Sequence, residues 1–209
     1  MCGNNALCVG GEFCVISERG SGMATIVLSK FDVAERQLLQ AITMFFQDED
    51  PVSIHTLVEA AAQVLSDIGE KCGAKSFLRD SDKIIEDKKK EWLGYLFKSR
   101  NFFKHAKRDK DERHEFKTEF NDFSLLDAVL MYTAIKKQLV PETLVFQSWF
   151  AVKYPNIIKK GSDFSKMFET ARNNNRLPDP KDKQLLYEFI KMMREGRHVV
   201  GNVNLERGL

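Results

Sequence analysis

The stretch from Pro51 to Gly69 reads PVSIHTLVEAAAQVLSDIG, and its apolar residues recur every three or four positions. This spacing places one apolar stripe along an α-helix. Pro51 and Ser53 are typical of a helix start, and Gly69 is typical of a helix end. The stripe consists of Ile54, Leu57, Val58, Ala61, Leu65 and Ile68. The sequence therefore predicts an amphipathic helix over 51–69 that buries one side against other helices.

The same period appears on both sides of this stretch. It predicts further helices over about 29–46, 81–106, 124–139, 141–154, 164–172 and 180–194. Period-two alternation, which indicates strands, is absent apart from a short candidate edge at 25–28. Short connections between the first four helices favour antiparallel neighbours. The predicted fold class is therefore all-α, an antiparallel helical bundle with additional C-terminal helices.

The length and composition predict one folded domain. The chain has 209 residues and is 43% hydrophobic, which is enough to bury one substantial core. Residues 1–22 are rich in Gly and small polar residues without a helical period, so we expect a flexible leader there. Residues 23–209 are predicted to form a single helical domain, with a bundle over 29–140 and a helical extension over 141–195.

Composition also argues against several classes of protein. No run approaches the roughly 20 apolar residues of a membrane-spanning helix, and no secretory signal is evident, so a cytoplasmic protein without membrane contact is expected. The four cysteines, Cys2, Cys8, Cys14 and Cys72, lack the paired spacing of a zinc site or a disulfide framework. No Gly-rich phosphate loop occurs, so the use of ATP is unsupported. No cofactor and no metal are predicted.

A basic window from Lys98 to Asp111 reads KSRNFFKHAKRDKD. Between Lys88 and Lys117 the chain has eleven Lys or Arg residues against five Asp or Glu residues, although its net charge is only +2. Such a local excess can hold a phosphate backbone through counterion release, and it can equally be a solvated helix end. The side chains predicted to contact RNA are Lys98, Lys104, Lys107 and Arg108.

Three polar residues in this window can perform chemistry together. Asn101 and His105 are four residues apart and share a face if the helix continues, and Arg100 borders that face. An imidazole can take a proton from a ribose 2′-hydroxyl or give one to a leaving 5′-oxygen, while a guanidinium stabilises charge on the phosphorus oxygens. These roles together predict RNA cleavage that needs no metal.

The two adjacent phenylalanines in the window leave two interpretations open. Phe103 can anchor the end of the helix to the core, and Phe102 can cover a neighbouring seam or a subunit contact. Both rings could instead be ordinary core residues, with Arg100 and His105 placed favourably at the helix C-terminus because of the helix dipole.

The run Arg100-Asn101-Phe102-Phe103-Lys104-His105 resembles the R-x4-6-H signature of HEPN domains, many of which have Asn directly after the Arg. The resemblance covers residues 29–140, and Arg108 to His114 is a second match in a charged loop. The resemblance implies an all-α ribonuclease of the toxin or defence type, with Arg100 and His105 as the catalytic pair and Asn101 positioning it. It also implies a homodimer with the site assembled across two protomers, and an antitoxin partner.

The predicted second helix carries a polar row, His55, Glu59, Gln63 and Asp67, spaced four residues apart. His55 and Glu59 could reach one metal ion or substrate, but no third ligand is evident. The favoured interpretation is a local hydrogen bond for His55, and a Lys or Arg from a neighbouring helix as the partner of Glu59. If this helix packs on the next one, either residue could support Arg100.

Two functions therefore stand after the sequence analysis. The first is a metal-independent, HEPN-like endoribonuclease in which Arg100 and His105 act on RNA. The second is a non-catalytic helical module that binds a protein or a small ligand. The enzyme requires the two side chains to converge on one exposed cleft, whereas the module permits them to diverge.

Overall fold

The computed structural model describes residues 25–80, 86–107, 110–157, 161 and 179–196. These residues form seven α-helices and no strand, which confirms the all-α prediction for this part of the chain. The helices are α1 (Lys30–Phe46), α2 (Pro51–Gly69), α3 (Glu86–Leu96), α4 (Lys98–Lys104), α5 (Phe120–Lys136), α6 (Pro141–Lys153) and α7 (Lys183–Arg194), with a 3-10 turn at Glu70–Cys72 after α2.

The first two helices begin and end where the sequence predicts, because local side chains cap them. Ser29 and Asp32 form a reciprocal capping box at the start of α1, with distances of 3.1 and 2.8 Å between side chain and backbone. Asp50 accepts hydrogen bonds from the backbone N–H and the hydroxyl of Ser53, both at 2.7 Å, directly before Pro51. Gly73, at φ +74, turns the chain away after the 3-10 turn.

The prediction of one long helix over 81–106 is wrong. The chain breaks at Phe97 (φ −92, ψ 3), and α4 ends at Lys104, so α3 and α4 are separate. Only Leu96 is buried in these two helices, which is too sparse a stripe to hold a straight continuation. His105 is extended (φ −132, ψ 109) and does not continue a helical face with Asn101.

Other predicted features differ less or cannot be compared. α5 starts at Phe120, four residues before the predicted start, and residues 25–28 form no strand. The leader over 1–22 and the predicted helix over 164–172 lie outside the described residues. The antiparallel order of the bundle stays a prediction.

The core lies among α1, α2, α5, α6 and α7. Its aromatic centre comes from α1 and α6, where the rings pack edge to face or tilted, with centroids 4.7–6.4 Å apart; the rings are Phe45, Phe46, Phe146, Trp149 and Phe150. The indole N–H of Trp149 donates to the carbonyl of Pro180 at 2.9 Å, which ties α6 to the segment before α7.

The segment α3–α4 lies at the edge of this core. α4 contacts α2, and α3 and α4 contact each other. Because α4 has no fully buried residue, it is held by half-buried rings and by polar contacts rather than by a deep apolar face. That placement leaves the basic window accessible to solvent. The direction of the α4 side chains therefore depends on the polar contacts beneath this helix.

Candidate functional site

Arg100 projects from α4 toward α2. Its Nη1 donates to Gln63 Oε1 at 3.1 Å, and its Cζ lies 4.0 Å from the centroid of the Phe97 ring. The guanidinium is half-buried, and burial lowers the pKa of Arg100, a trend that the charge of Glu59 opposes and that of Arg79 reinforces. Arg100 is thus fixed by a hydrogen bond and a cation–π contact to the interior side of α4.

A buried ion pair lies next to Arg100. Arg79 Nη2 is 3.1 Å from Glu59 Oε2, and both side chains are almost fully buried. Arg79 Nη1 donates to Gln63 Oε1 at 3.4 Å, so this amide oxygen accepts from two guanidinium groups. Ser124 of α5 donates to Glu59 Oε1 at 2.9 Å. The polar row of α2 therefore joins α4, α5 and the segment before α3.

The loop that carries Arg79 is held by α5. Asp127 Oδ1 accepts from the backbone N–H of Phe77 at 2.8 Å, and Asp127 Oδ2 accepts from the Ser76 hydroxyl at 2.6 Å. Burial raises the pKa of Asp127, while these hydrogen bonds and the charge of Arg79 lower it. The loop conformation, and with it the direction of Arg79, thus depends on a carboxylate from a distant helix.

His55 is fully buried beneath α4. Its Nδ1 lies 2.9 Å from Asn121 Oδ1, and its ring packs on Phe103 (5.6 Å between centroids) and Phe116 (4.9 Å). Among the residues that the structure describes, its Nε2 has no hydrogen-bond partner. Burial lowers the pKa of His55; the charge of Glu59 and the Asn121 hydrogen bond raise it, and the charges of His114 and Lys104 lower it. The neutral imidazole is therefore favoured, and it serves to pack α4.

An open cleft of about 1090 Å³ lies on the other side of α4. Asn101 and His105 line it together with Ser99 and Phe102, and the segment from Glu112 to Lys117 forms the facing wall. His114 from that wall contacts α4, with Nε2 at 2.8 Å from Ser99 Oγ. Within the described part of the chain, no hydrogen bond or ion pair engages the side chains of Asn101 or His105.

The cleft is a cationic site. Four positively charged residues, Lys98, Lys107, Arg113 and Lys117, line it against two acidic residues, Glu112 and Glu115. Across the described ranges, none of these four cations forms an ion pair, whereas the buried Arg79 and the half-buried Lys136 do. Unpaired cations around an open cleft favour the binding of an anion such as a phosphate backbone.

The structure brings some of the predicted site residues together and separates others. Asn101, His105, Lys98 and Lys107 share the cleft, and Arg100 is not among its lining residues. Lys104 is exposed on α4 outside the cleft lining, and Arg108 lies outside the described residues.

The contacts predicted for the polar row of α2 and for the two phenylalanines of α4 are found in part. Glu59 has the expected cationic partner, but Arg79 lies in a loop, and His55 binds Asn121 of α5 rather than a local group. Phe103 packs on His55, as an anchor should, and Phe102 covers His114.

Four residues of the site were not predicted from the sequence: Arg79, Asn121, Ser99 and His114. His114 is the histidine of the second R-x4-6-H match, which was not preferred because it lies in a charged loop. The others carry no local pattern, because their partners are 15 to 66 residues away in the chain. No set of three or more His, Cys, Asp or Glu side chains in the described ranges is arranged to hold a metal ion.

Comparison of the chain with known protein families, with curated proteins and with solved structures finds no match. No helix in the described ranges is long and apolar enough to cross a membrane. The chemistry of the cleft and the resemblance of Arg100–His105 to the HEPN signature are therefore what support a function.

Proposed function

We propose that the chain is a metal-independent endoribonuclease that binds RNA in the α4 cleft. The observation that carries the proposal is that one open cleft is lined by His105, Asn101 and four cations that form no ion pair with the described residues. The resemblance to the HEPN signature supports the same activity, and the toxin or defence role and the antitoxin partner rest on that resemblance alone.

The chemistry requires a proton-transfer group beside a bound phosphate. His105 is exposed and lines the cleft, where an imidazole can serve as a general acid or base. Asn101 donates its amide N–H to a phosphate oxygen, and the surrounding lysines hold the backbone of the RNA. The products are a 2′,3′-cyclic phosphate and a 5′-hydroxyl.

Arg100 adds a requirement to this proposal. Within one chain its guanidinium is held by Gln63 and Phe97, outside the cleft. The pairing of Arg100 with His105 implied by the resemblance therefore needs a second copy of the chain that brings its own Arg100 to the cleft. The proposal accordingly includes a homodimer.

The decisive experiment is cleavage of a single-stranded RNA in the presence of EDTA. Wild-type protein is expected to produce cyclic phosphate ends, and Arg100→Ala and His105→Ala are each expected to abolish cleavage with helicity unchanged. If the site is shared between protomers, co-expressed Arg100→Ala and His105→Ala chains should recover about one quarter of the wild-type activity, because half of the dimers are mixed and each has one intact site. Cleavage that persists in both single variants contradicts the proposal.

RNA binding can be tested apart from cleavage. The double variant Lys98→Ala/Lys117→Ala removes two cations of the cleft, and each lost contact with a single-strand phosphate lowers the slope of log K against log salt by about 0.7. The matched control is Lys71→Ala/Lys75→Ala, which removes two exposed lysines outside the cleft. Equal slopes for the two double variants would show that RNA does not occupy the cleft.

A second function is favoured by the contacts of Arg100. Because Arg100 shares Gln63 with Arg79 beside the buried Glu59, it also suits a non-catalytic helical module in which it only holds α4. That function predicts no RNA cleavage by the wild type, and a lower free energy of unfolding in Arg100→Ala. The same set of variants therefore separates the two functions.

A further inference from the structure

His114 lies in the charged segment between α4 and α5, yet its side chain is half-buried against α4. Its Nε2 is 2.8 Å from Ser99 Oγ, and its ring centroid lies 5.0 Å from that of Phe102. The neighbours Arg113 and Glu115 are exposed. Contacts from α4 thus fix the orientation of this imidazole, whereas its two neighbours in the chain face solvent.

The contact with Ser99 determines which nitrogen of His114 is available. Ser99 occupies Nε2, and among the described residues no hydrogen bond or ion pair reaches Nδ1. A hydrogen bond to one ring nitrogen holds the other in a defined direction. Nδ1 is therefore the atom of His114 that can exchange a proton with a molecule in the cleft, which His105 also lines.

We propose that His114, anchored by Ser99, is the second proton-transfer group of the cleft and acts with His105 on a ribose–phosphate backbone. The inference rests on the proposed ribonuclease function. It goes beyond the resemblance to the HEPN signature, in which a single histidine and an arginine carry the chemistry.

Cleavage of RNA needs two proton transfers. One imidazole takes the 2′-hydroxyl proton while O2′ forms its bond to phosphorus. The other, as an imidazolium, gives its proton to O5′ while the bond from phosphorus to O5′ breaks. Two histidines in one cleft supply both groups, and the cations Lys98, Lys107, Arg113 and Lys117 stabilise the charge on the phosphate oxygens.

The alternative to a catalytic role is that His114 only attaches the charged segment to α4. The variant His114→Gln separates the two, because glutamine can still hydrogen-bond Ser99 but has no proton that titrates. Catalysis predicts a fall in kcat of about 100-fold or more. It also predicts unchanged affinity for a 2′-O-methyl RNA that cannot be cleaved, and the loss of one limb of the bell-shaped pH profile of kcat/KM.

Two further variants sharpen the test. Ser99→Ala removes the anchor, so a smaller fall in kcat with both limbs of the pH profile retained is expected of a positioning residue. Lys110→Gln lies on the same segment outside the cleft lining and should leave activity unchanged.

The outcomes distinguish failure of the inference about His114 from failure of the proposed ribonuclease function. Full activity in His114→Gln, with His105→Ala inactive, overturns this inference and leaves the proposed function standing. Loss of RNA binding together with activity in His114→Gln assigns His114 to attachment of the segment and also overturns the inference. Absence of RNA cleavage by the wild type, with intact RNA binding or without it, overturns both proposals.

Discussion

Replacing Glu59 by alanine leaves the buried guanidinium of Arg79 without its carboxylate partner. The two groups are 3.1 Å apart, and their side chains are 3% and 8% exposed. Removing one member of such a pair typically costs about 3–5 kcal/mol, because the remaining charge stays buried. The Ser124 hydroxyl also loses its acceptor, which adds about 1 kcal/mol. We therefore expect Glu59→Ala to lower the free energy of unfolding by about 5 kcal/mol.

This loss is large compared with the roughly 5–15 kcal/mol that stabilises an ordinary domain. Urea denaturation followed by far-UV circular dichroism measures this loss directly, provided that the slope of the free energy of unfolding against urea concentration is the same in the wild type and the variant. The control is Glu91→Ala, whose exposed pair with Lys88 is expected to contribute almost nothing. Replacing both partners, in Glu59→Leu/Arg79→Met, should restore most of the stability, because no unpaired charge then stays buried.

A loss below about 1 kcal/mol in Glu59→Ala would refute the reasoning, since it would mean that removing the ion pair hardly changes the free energy of unfolding. A double variant no more stable than Glu59→Ala would refute it as well. The first result would indicate that aromatic packing, rather than the ion pair, holds α4 in position. The second result would show that Glu59 and Arg79 are needed for their shape rather than for their charge.

Three further predictions concern packing and pH. Leu38→Ala, at a fully buried core position, should cost about 2–5 kcal/mol in urea denaturation. Gly69→Ala should destabilise the fold, because its Cβ would lie 2.4 Å from the carbonyl oxygen of Ala74, whereas Gly94→Ala meets nothing within 4 Å and should stabilise α3 by about 1 kcal/mol. Because the folded-state pKa of His55 is lowered from 6.5, stability should fall as the pH drops below about 6.5, by up to about 1.4 kcal/mol per pH unit, and His55→Gln should weaken this dependence.

Each of these predictions has a clear contrary result. Equal stability of the two glycine variants would contradict the close approach at Gly69. For His55 the unfolded chain takes up a proton before the folded chain does, so the contribution is complete above the unfolded-state pKa and is lost below it. A pH dependence identical in the wild type and His55→Gln between pH 7 and pH 5 would contradict the burial of a neutral imidazole.

The local pattern of the chain predicted much of its secondary structure. The limits of α1 and α2 follow from Ser29, Asp50 and Pro51, which cap or start a helix with groups at most three residues away. The polar row of α2 and the basic window before α5 were also visible, because four-residue spacing and local charge are properties of neighbours along the chain.

The break at Phe97 was not predictable from the same rules. Periodicity counts apolar residues, and Trp92, Leu96 and Phe103 fit one continuous stripe. In the structure only Leu96 of α3 and α4 is buried, and Phe97 packs beneath Arg79 and Arg100. The extended conformation of His105, which turns it away from the helical face of Asn101, follows from the same early end of α4.

The sequence by itself determined that the described part of the chain is helical, where its first two helices lie and which residues carry polar chemistry. The tertiary structure decided which of those residues meet: Gln63 with Arg100, 37 residues apart, and His55 with Asn121, 66 residues apart. The physical reason is that helix formation is governed by contacts within one or two turns, whereas the direction of a half-buried arginine or histidine is set by the partner that packing places beside it.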